Sequence, residues 1–555
     1  METIPIGDLF DRVARGAAHR EALVFPHAGV RWTYGDVLAR VQQLAKALIG
    51  LGIERGDHVA LWATNRPQWV LVQLATAKVG AVLVAIDPLC RADDLAFVLE
   101  HSDATTLFLS ERAGDVDQLA LLGGCCPELP GARPGHIASR RFAQLKRVAL
   151  LDDRRAPGVF AWSDALAATA GITDHMLRRR QESVDADDTV LLQYTAGTSA
   201  RPRGVELTHR NLLHDAYYAG ECMRLGARDR VCVPLPLHLP LGSVLGTLAA
   251  LQRGATLVVP AERFDPEATL AAVAAERCTA LHGVPRMFRA LLAQRRFPEF
   301  DLSALRTGIV AGGACPPDVM RAIVGRMHAR EITVAYGQTE ATAVVTQTRT
   351  EDPLELRATT VGRALPHVEV RIVDPESGRD VARGAQGELW CRGYPVMRGY
   401  YKLPEATAAK IDGDGWLHTG DLARLDEHGY CRLGGRVEDV VRRGGEAIYP
   451  REIEDLLAAH PKIHDARVFG VGDAEIFGMS STATGEDVAA WVRLREGESA
   501  TVEEIREFCR ARIAAFKVPR WVRFVEDYPR TASGEVQRFA MRERMAEELK
   551  RRRAR

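Results

Sequence analysis

A loop rich in glycine and small hydroxyl residues has the composition of a phosphate-binding segment. An apolar run at 189–194 predicts a buried strand before the loop, and a helix is predicted to begin near Thr208. Small residues leave backbone N–H groups open to a phosphate chain, and the start of a helix favours negative charge. The motif Gly-Lys-Ser/Thr is absent, which excludes a Walker A loop. A loop of this composition is by itself more often a turn, so its function depends on the other motifs. Its residues are Thr195-Ala196-Gly197-Thr198-Ser199-Ala200-Arg201-Pro202-Arg203-Gly204.

A second segment places an aromatic, a hydroxyl and a carboxylate side chain within five residues. An aromatic ring can stack on a base, a hydroxyl can contact a phosphate oxygen, and a carboxylate can bind a hard cation such as Mg²⁺. These three side chains occur within Tyr336-Gly337-Gln338-Thr339-Glu340.

The elements that must position these segments alternate between helices and strands. Helical spacing at 37–51 is followed by a predicted strand at 58–62, and helix and strand alternate again over 266–336. This alternation predicts mostly parallel sheets covered by helices. From about Gly362 short alternating segments separated by glycine-rich turns predict a smaller, barrel-like antiparallel unit. Helices return after Arg436, which predicts a compact α+β end domain.

We therefore predict an α/β fold with a large domain at 1–435 that includes a barrel-like subdomain at about 362–435. A hinge is predicted at 436–439 and a small C-terminal α+β domain at 440–555.

Composition limits the possible functions. Lys+Arg and Asp+Glu each total 73 among 555 residues, so no net charge draws the chain to nucleic acid or to an anionic membrane. No apolar run approaches the roughly 18 residues of a spanning helix, and no signal sequence is evident at the start. The ten cysteines show no zinc or redox spacing, which favours free thiols in the cytoplasm.

Three further segments complete a recognisable order of motifs: Ala311-Gly312-Gly313-Ala314, Trp416-Leu417-His418-Thr419-Gly420-Asp421 and Gly435-Arg436-Val437-Glu438-Asp439. Together with the two segments above, they resemble the adenylate-forming (AMP-binding) superfamily. The resemblance extends over about residues 31–542 and is closest to the fatty acyl-CoA synthetases.

The resemblance implies a role for each matching residue. Tyr336 would stack on adenine, Thr339 would contact the α-phosphate and Glu340 would hold Mg²⁺. Asp421 would accept hydrogen bonds from both ribose hydroxyls, and Arg436 would reach the nucleotide. The glycine turn at 311–314 would lie along the adenine, and His238 would lie at the acyl entrance, although its family register is open to a shift of one residue. The substrates would be ATP, a small carboxylic acid and CoA, and the small domain would be mobile between two half-reactions.

Three departures from the family pattern fall at the triphosphate end. Ala200 replaces a glycine, Arg203 replaces a lysine, and Glu535 replaces the lysine that steadies the charge during adenylation. A unit charge at ~4 Å and an effective dielectric near 20 is worth ~4 kcal/mol, and ~1.4 kcal/mol is a tenfold change in rate. We therefore expect slow adenylation unless another cation substitutes. Arg530, Arg538 and Arg542 are candidates for that cation.

Two alternatives remain open at this stage. The adenylate could pass to an amine, or the acid could be a small oxyacid such as nitrite, in a reaction without CoA. The chain could also be a non-catalytic nucleotide-binding homologue, against which the retained Glu340 and Asp421 argue. The sequence leaves the acid and the oligomeric state open.

Overall fold

A computed structural model of the chain describes residues 2–195, 202–313, 315–443, 446–472, 486–530 and 536–553. Within these ranges helices and strands alternate through most of the first 360 residues, as the sequence predicts. The helices are α1 (Ile6–Gly16), α2 (Tyr34–Gly50), α3 (Pro67–Val79), α4 (Ala92–His101), α5 (Gln118–Cys125), α6 (Trp162–Leu166), α7 (Asp174–Glu182), α8 (His209–Cys222), α9 (Pro240–Gly242), α10 (Ala249–Leu251), α11 (Pro266–Ala275), α12 (Pro285–Leu292), α13 (Pro317–Arg326), α14 (Leu354–Thr359), α15 (Pro404–Ala408), α16 (Pro450–Ala458), α17 (Val502–Arg510) and α18 (Arg538–Arg553). A π-helical segment, Ser243–Leu248, joins α9 to α10.

The strands of the described ranges are mostly short. They are β1 (Glu21–Phe25), β2 (Val30–Thr33), β3 (His58–Trp62), β4 (Val82–Ile86), β5 (Thr106–Leu109), β6 (Arg112–Ala113), β7 (Val116–Asp117), β8 (Arg147–Leu150), β9 (Thr189–Thr195), β10 (Arg203–Thr208), β11 (Arg230–Cys232), β12 (Thr256–Val258), β13 (Ala280–Gly283), β14 (Thr307–Val310), β15 (Thr333–Tyr336), β16 (Thr346–Gln347), β17 (Arg363–Ala364), β18 (Val368–Val373), β19 (Gly387–Gly393), β20 (Gly399–Tyr400), β21 (Leu417–Leu425), β22 (Cys431–Arg436), β23 (Val441–Arg443), β24 (Glu446–Ile448), β25 (Ile463–Gly472), β26 (Glu486–Leu494) and β27 (Trp521–Phe524).

Two large sheets form the main body. One has the order β17-β16-β15-β14-β13-β11-β12-β1-β2, and the other has the order β20-β10-β9-β4-β3-β5-β8. The central pairs of both sheets are parallel, while antiparallel pairs lie toward their edges. Helices cover the sheets, which confirms the predicted α/β class.

Smaller sheets follow, with antiparallel pairs throughout except for the parallel pair β26–β27. The strands β18-β19-β21-β22 form a four-stranded sheet in the region where the sequence predicts a barrel-like unit. Further along, β25-β26-β27 form a three-stranded sheet, and helices α16 and α17 border its apolar side chains. The predicted hinge region contains a 3₁₀ turn, Val437–Asp439.

The edges of these sheets meet where the motif residues lie. Strands β14 and β15 are parallel neighbours, so the turns after their carboxyl ends lie side by side. Strand β10 pairs with both β9 and β20, which joins the phosphate-loop hairpin to residues near 400. Helix α8 begins after a capping box, in which the Thr208 side chain accepts from the Asn211 N–H and the Asn211 side chain accepts from the Thr208 N–H.

A buried ion pair fastens the N-terminal helix to the core. Lys78 of α3 and Asp11 of α1 are 2% and 8% exposed, and Lys78 Nζ lies 2.5 Å from Asp11 Oδ1. Arg15 contacts the other oxygen of Asp11 at 3.1 Å from its exposed position. Removing Lys78 would therefore leave Asp11 buried with only an exposed partner.

We expect Lys78→Ala to destabilise the protein by about 3 kcal/mol, because a buried carboxylate loses its main partner. The measurement is the shift in the urea unfolding midpoint. Lys46→Ala is the matched control, because Lys46 pairs with Asp174, which is 79% exposed. This variant should lose less than about 1 kcal/mol of stability. Equal shifts for the two variants would contradict this account.

Candidate active site

The residues expected to hold adenosine converge on the carboxylate of Asp421. Tyr336, at the end of β15, donates its hydroxyl to Asp421 Oδ2 at 2.7 Å. Arg436 stands opposite Asp421 in the β21–β22 pairing, and its Nε lies 3.7 Å from Asp421 Oδ1. Two separate sheets therefore bring these three residues to one place.

Burial and neighbouring charges act in opposite directions on Asp421. Burial raises the pKa of Asp421 above its ordinary value, whereas Arg436, the hydrogen bond from Tyr336 and the nearby Lys410 lower it. Burial likewise raises the pKa of Tyr336, and the adjacent carboxylate raises it further. The phenol is therefore a stable donor and Asp421 the acceptor.

The turn after Tyr336 requires glycine. A Cβ at Gly337 would lie 2.1 Å from the Ala343 carbonyl oxygen, which no side chain could occupy. Gln338 follows and donates its Nε2 to the Thr419 carbonyl at 3.2 Å. A 3₁₀ turn, Thr339–Ala341, then presents the expected phosphate and metal residues.

This turn ends in an unusual backbone conformation. Thr342 is fully buried with φ 62° and ψ −68°, a region that β-branched residues rarely adopt. Its hydroxyl donates to the Pro395 carbonyl at 2.7 Å. Two residues later, the Val344 N–H donates at 3.0 Å to the fully buried Asp215. Contacts from both sides thus hold the turn in place.

Glu340 is held by Tyr400 of β20 and by Met397 in the segment just before that strand. Its Oε1 accepts a hydrogen bond of 2.8 Å from the Tyr400 hydroxyl, and its carbonyl accepts from the Met397 N–H at 2.9 Å. The guanidinium of Arg203 lies 5.2 Å from the centre of the Tyr400 ring. Glu340, Tyr400 and Arg203 thus form a second charged group near the adenosine end.

The phosphate loop is described only at its two ends. Thr195 ends β9 and Arg203 begins β10, and the two residues are paired across the antiparallel ladder. Between them, Ala196, Gly197, Thr198, Ser199 and Ala200 lie outside the described residues, as do Ala314 and Glu535.

The glycine turn after β14 lies beside α9 and the residue that precedes α12. Gly312 has φ +72°, and a Cβ there would lie 3.3 Å from Leu241 and 3.1 Å from Val284. Gly313 follows it and is exposed. Because β14 neighbours β15, this turn lies next to the Tyr336 turn, as the predicted adenine contact requires.

His238 lies just before α9 and faces an aspartate. Its Nε2 is 3.9 Å from Asp87 Oδ1, and burial lowers the pKa of the imidazole. A neutral imidazole next to Asp87 fits a positioning role as well as an acyl-entrance role, so the predicted function of His238 stays a prediction.

The sequence analysis overlooked two residues of this site. Tyr400 contacts Glu340, and Lys410 donates its Nζ to the Thr419 carbonyl at 3.0 Å. Neither residue belongs to a motif that the sequence analysis singled out. The only sequence signal for Lys410 is its place shortly before the Trp416–Asp421 segment.

The family models match nearly the whole chain in two parts. Residues 10–401 match the model described as AMP-binding enzyme, and residues 452–535 match AMP-binding enzyme C-terminal domain. The chain belongs to the AMP-binding enzyme family. The predicted family is thereby confirmed.

Relatives of this family cover the chain from end to end. It is 45% identical over 542 residues to the "Putative acyl-CoA synthetase YngI" of Bacillus subtilis (strain 168), covering 98% of this chain and 97% of that protein. It is 39% identical over 534 residues to the "Medium-chain acyl-CoA ligase ACSF2, mitochondrial" of Danio rerio, covering 96% and 86%.

A solved structure shows the same architecture. ATP-bound MatB from Rhodopseudomonas palustris superimposes with a TM-score of 0.82 at 26% identity, covering 98% of this chain and 99% of that one. The large domain of helix-covered sheets and the smaller C-terminal domain are therefore features of this AMP-binding enzyme. The domain boundaries and the roles of single residues stay predictions.

Of the helices in the described ranges, none is long and apolar enough to cross a membrane.

The hydrogen bond between Tyr336 and Asp421 predicts a pH effect. We expect adenosine affinity to fall as pH falls through the raised pKa of Asp421, because its carboxylate can accept from both ribose hydroxyls, whereas the protonated acid keeps one oxygen as a donor and accepts more weakly. Tyr336→Phe removes a hydrogen bond that lowers the pKa of Asp421. The loss of adenosine affinity on acidification should therefore occur at a higher pH in this variant than in wild type. Calorimetric titration with adenosine across pH measures the effect.

The control is Tyr430→Phe, which breaks a similar tyrosine–aspartate hydrogen bond of 2.6 Å to Asp352 outside the site. An unmoved pH of affinity loss in Tyr336→Phe, or the same movement in both variants, would contradict the assignment of Asp421.

Proposed function

We propose that this AMP-binding enzyme is an ATP-dependent, AMP-forming ligase that activates a carboxylic acid and transfers the acyl group to CoA. The family match and the acyl-CoA synthetases among its relatives support this activity. The acid is proposed to be a medium-chain fatty acid, since the ACSF2 relatives carry that name.

The convergence of two groups of side chains is the observation that carries the proposal. Tyr336, Asp421 and Arg436 offer a ring, an acceptor and a cation for adenosine. Glu340 and Arg203 both lie next to Tyr400, where a carboxylate and a cation can serve the phosphates. A nucleotide that spans the two groups would present its α-phosphate between them.

The residues present also fit a magnesium ion. Glu340 offers one carboxylate, with Oε1 bound to the Tyr400 hydroxyl. In the part of the chain that the structure describes, no group of three or more His, Cys, Asp or Glu side chains could hold a metal. One carboxylate plus phosphate oxygens and water is the usual protein environment of Mg²⁺, which supplies charge neutralisation on the phosphates.

The proposed reaction has two steps. A carboxylate oxygen attacks the α-phosphorus of ATP, the bond to the bridging oxygen breaks, and pyrophosphate leaves with the electron pair. The CoA thiolate then attacks the acyl carbon, and AMP leaves. The side chains described here act by binding and by offsetting charge, which is the main source of catalysis in such transfers. CoA as acceptor and the cytoplasm as location remain predictions.

The first step of the reaction and the effect of the glutamate at position 535 can be tested in one experiment. We expect carboxylate-dependent exchange of labelled pyrophosphate into ATP with medium-chain acids, and an increase of about tenfold or more in Glu535→Lys, because a repulsive charge is replaced by an attractive one. Glu526→Lys makes the same charge change at an exposed glutamate of the same region and should leave the rate unchanged.

Formation of acyl-CoA from ATP, acid and CoA tests the second step. No exchange in wild type or in Glu535→Lys with any carboxylic acid would refute the ligase proposal. If pyrophosphate exchange occurs but no acyl-CoA forms, and an amine acceptor gives product instead, the proposal that CoA is the acceptor is refuted. The adenylation step would still stand.

A further inference from the structure

Lys410 occupies a fixed position between α15 and β21. Its N–H donates to the Thr407 carbonyl at 2.9 Å, and its own carbonyl accepts from the His418 N–H at 2.9 Å. The backbone is therefore held on both sides, and the half-buried side chain extends from it into the candidate site.

The ammonium group of Lys410 lies among the motif residues. Its Nζ donates to the Thr419 carbonyl at 3.0 Å, the same oxygen that accepts from Gln338 at 3.2 Å. Next to it, Gly420 has φ +77°, and a Cβ there would lie 3.7 Å from Lys410 Nζ and 3.3 Å from Arg436 Nη2. The absence of a side chain at Gly420 thus leaves room for two cations in one place.

The charges around Lys410 are those of the candidate site together with Glu388. Burial lowers the pKa of Lys410, and Arg436 lowers it as well. The carboxylates of Glu340, Asp421 and Glu388 raise it. Among the residues that the structure describes, no carboxylate pairs with Lys410 within 4.0 Å. A partly desolvated ammonium without an ion-pair partner is costly, and a bound anion would remove that cost.

Two of the three arginines suggested by the sequence, Arg530 and Arg538, pair with carboxylates, whereas the Nε of the third, Arg542, is buried without a hydrogen-bond partner among the described residues. Arg538 Nη1 lies 2.5 Å from Asp439 Oδ2 and its Nη2 lies 2.9 Å from Glu454 Oε1. Arg530 lies 3.3 Å from Asp527. Within the described ranges, the Lys410 ammonium donates one hydrogen bond, to a neutral carbonyl, and two of its N–H donors find no protein acceptor.

We propose that Lys410 is a catalytic residue of the adenylation step, whose ammonium contacts the α-phosphate and offsets its charge in place of the family lysine at position 535. The α-phosphate must lie between the ribose, at Asp421, and the metal carboxylate, at Glu340. The Thr419 carbonyl that accepts from Lys410 stands two residues before Asp421, and it also accepts from Gln338, which stands two residues before Glu340. Lys410 transfers no proton. The inference rests on the proposed function for the reaction, but the phosphate contact itself can be measured without turnover.

The first test compares AMP with adenosine as ligands, because they differ only in the phosphate. Lys410→Ala should weaken AMP binding by about 10- to 100-fold, the loss typical of a hydrogen bond to a charged group, and leave adenosine affinity unchanged. Lys410→Arg, which keeps the charge, should retain most of the AMP affinity. Lys46→Ala, which removes a remote lysine, is the control.

Unchanged AMP affinity in Lys410→Ala would overturn the proposal. Equal losses of AMP and adenosine affinity would also overturn it, because they would indicate a structural role in the pocket.

The second test uses pyrophosphate exchange in the full-length enzyme. Lys410→Ala should lower the exchange rate by about 100-fold or more, as expected for the loss of a group that stabilises developing charge. The loss should be much smaller in a Glu535→Lys background, where the family cation is restored. Equal losses in both backgrounds would refute the inference that Lys410 takes the place of the family lysine.

If wild type binds AMP through Lys410 but shows no exchange with any carboxylic acid, the proposed function fails and the phosphate contact stands.

Discussion

The buried carboxylate of Asp421 is the constraint on which the candidate site depends. A carboxylate that is only 18% exposed must be compensated by donors and cations, and each compensating group comes from a different place in the chain. Tyr336 comes from the end of β15 in a large sheet, Arg436 from β22, and Lys410 from the loop before β21. Satisfying Asp421 therefore fixes the large sheet against the four-stranded sheet at the proposed nucleotide site.

The sequence predicted local structure well where patterns are local. The predicted helix at 37–51 is observed as Tyr34–Gly50, and the strand at 58–62 is observed at the same residues. The helix predicted near Thr208 begins at His209, because Thr208 and Asn211 satisfy each other's backbone donors. These features depend on apolar spacing and capping within a few residues.

The contacts between motifs could not be predicted in the same way. The order of motifs indicated which residues belong together, but not that Tyr336 would donate to Asp421. Tyr400 and Lys410 belong to no motif used in the sequence analysis, and only the pairing of β10 with β20 and the course of the chain before β21 bring them to the site. The sequence suggests three arginines of the C-terminal region as the cation that substitutes for the family lysine at position 535. The structure instead places a lysine from the four-stranded-sheet region beside the motif residues, because distance along the sequence says little about distance across a cleft.

The backbone at Thr342 has a consequence for how this site responds to a ligand. A β-branched residue at positive φ stores on the order of 1–3 kcal/mol of conformational energy, and it persists only where the surroundings leave no alternative. The bond from its hydroxyl to Pro395 and its complete burial provide that restraint. The neighbouring Thr339 and Glu340 are therefore set in their arrangement before any nucleotide arrives. Such preorganisation spares the incoming molecule the entropy of ordering a loop, so that more of its intrinsic binding energy can serve affinity and catalysis.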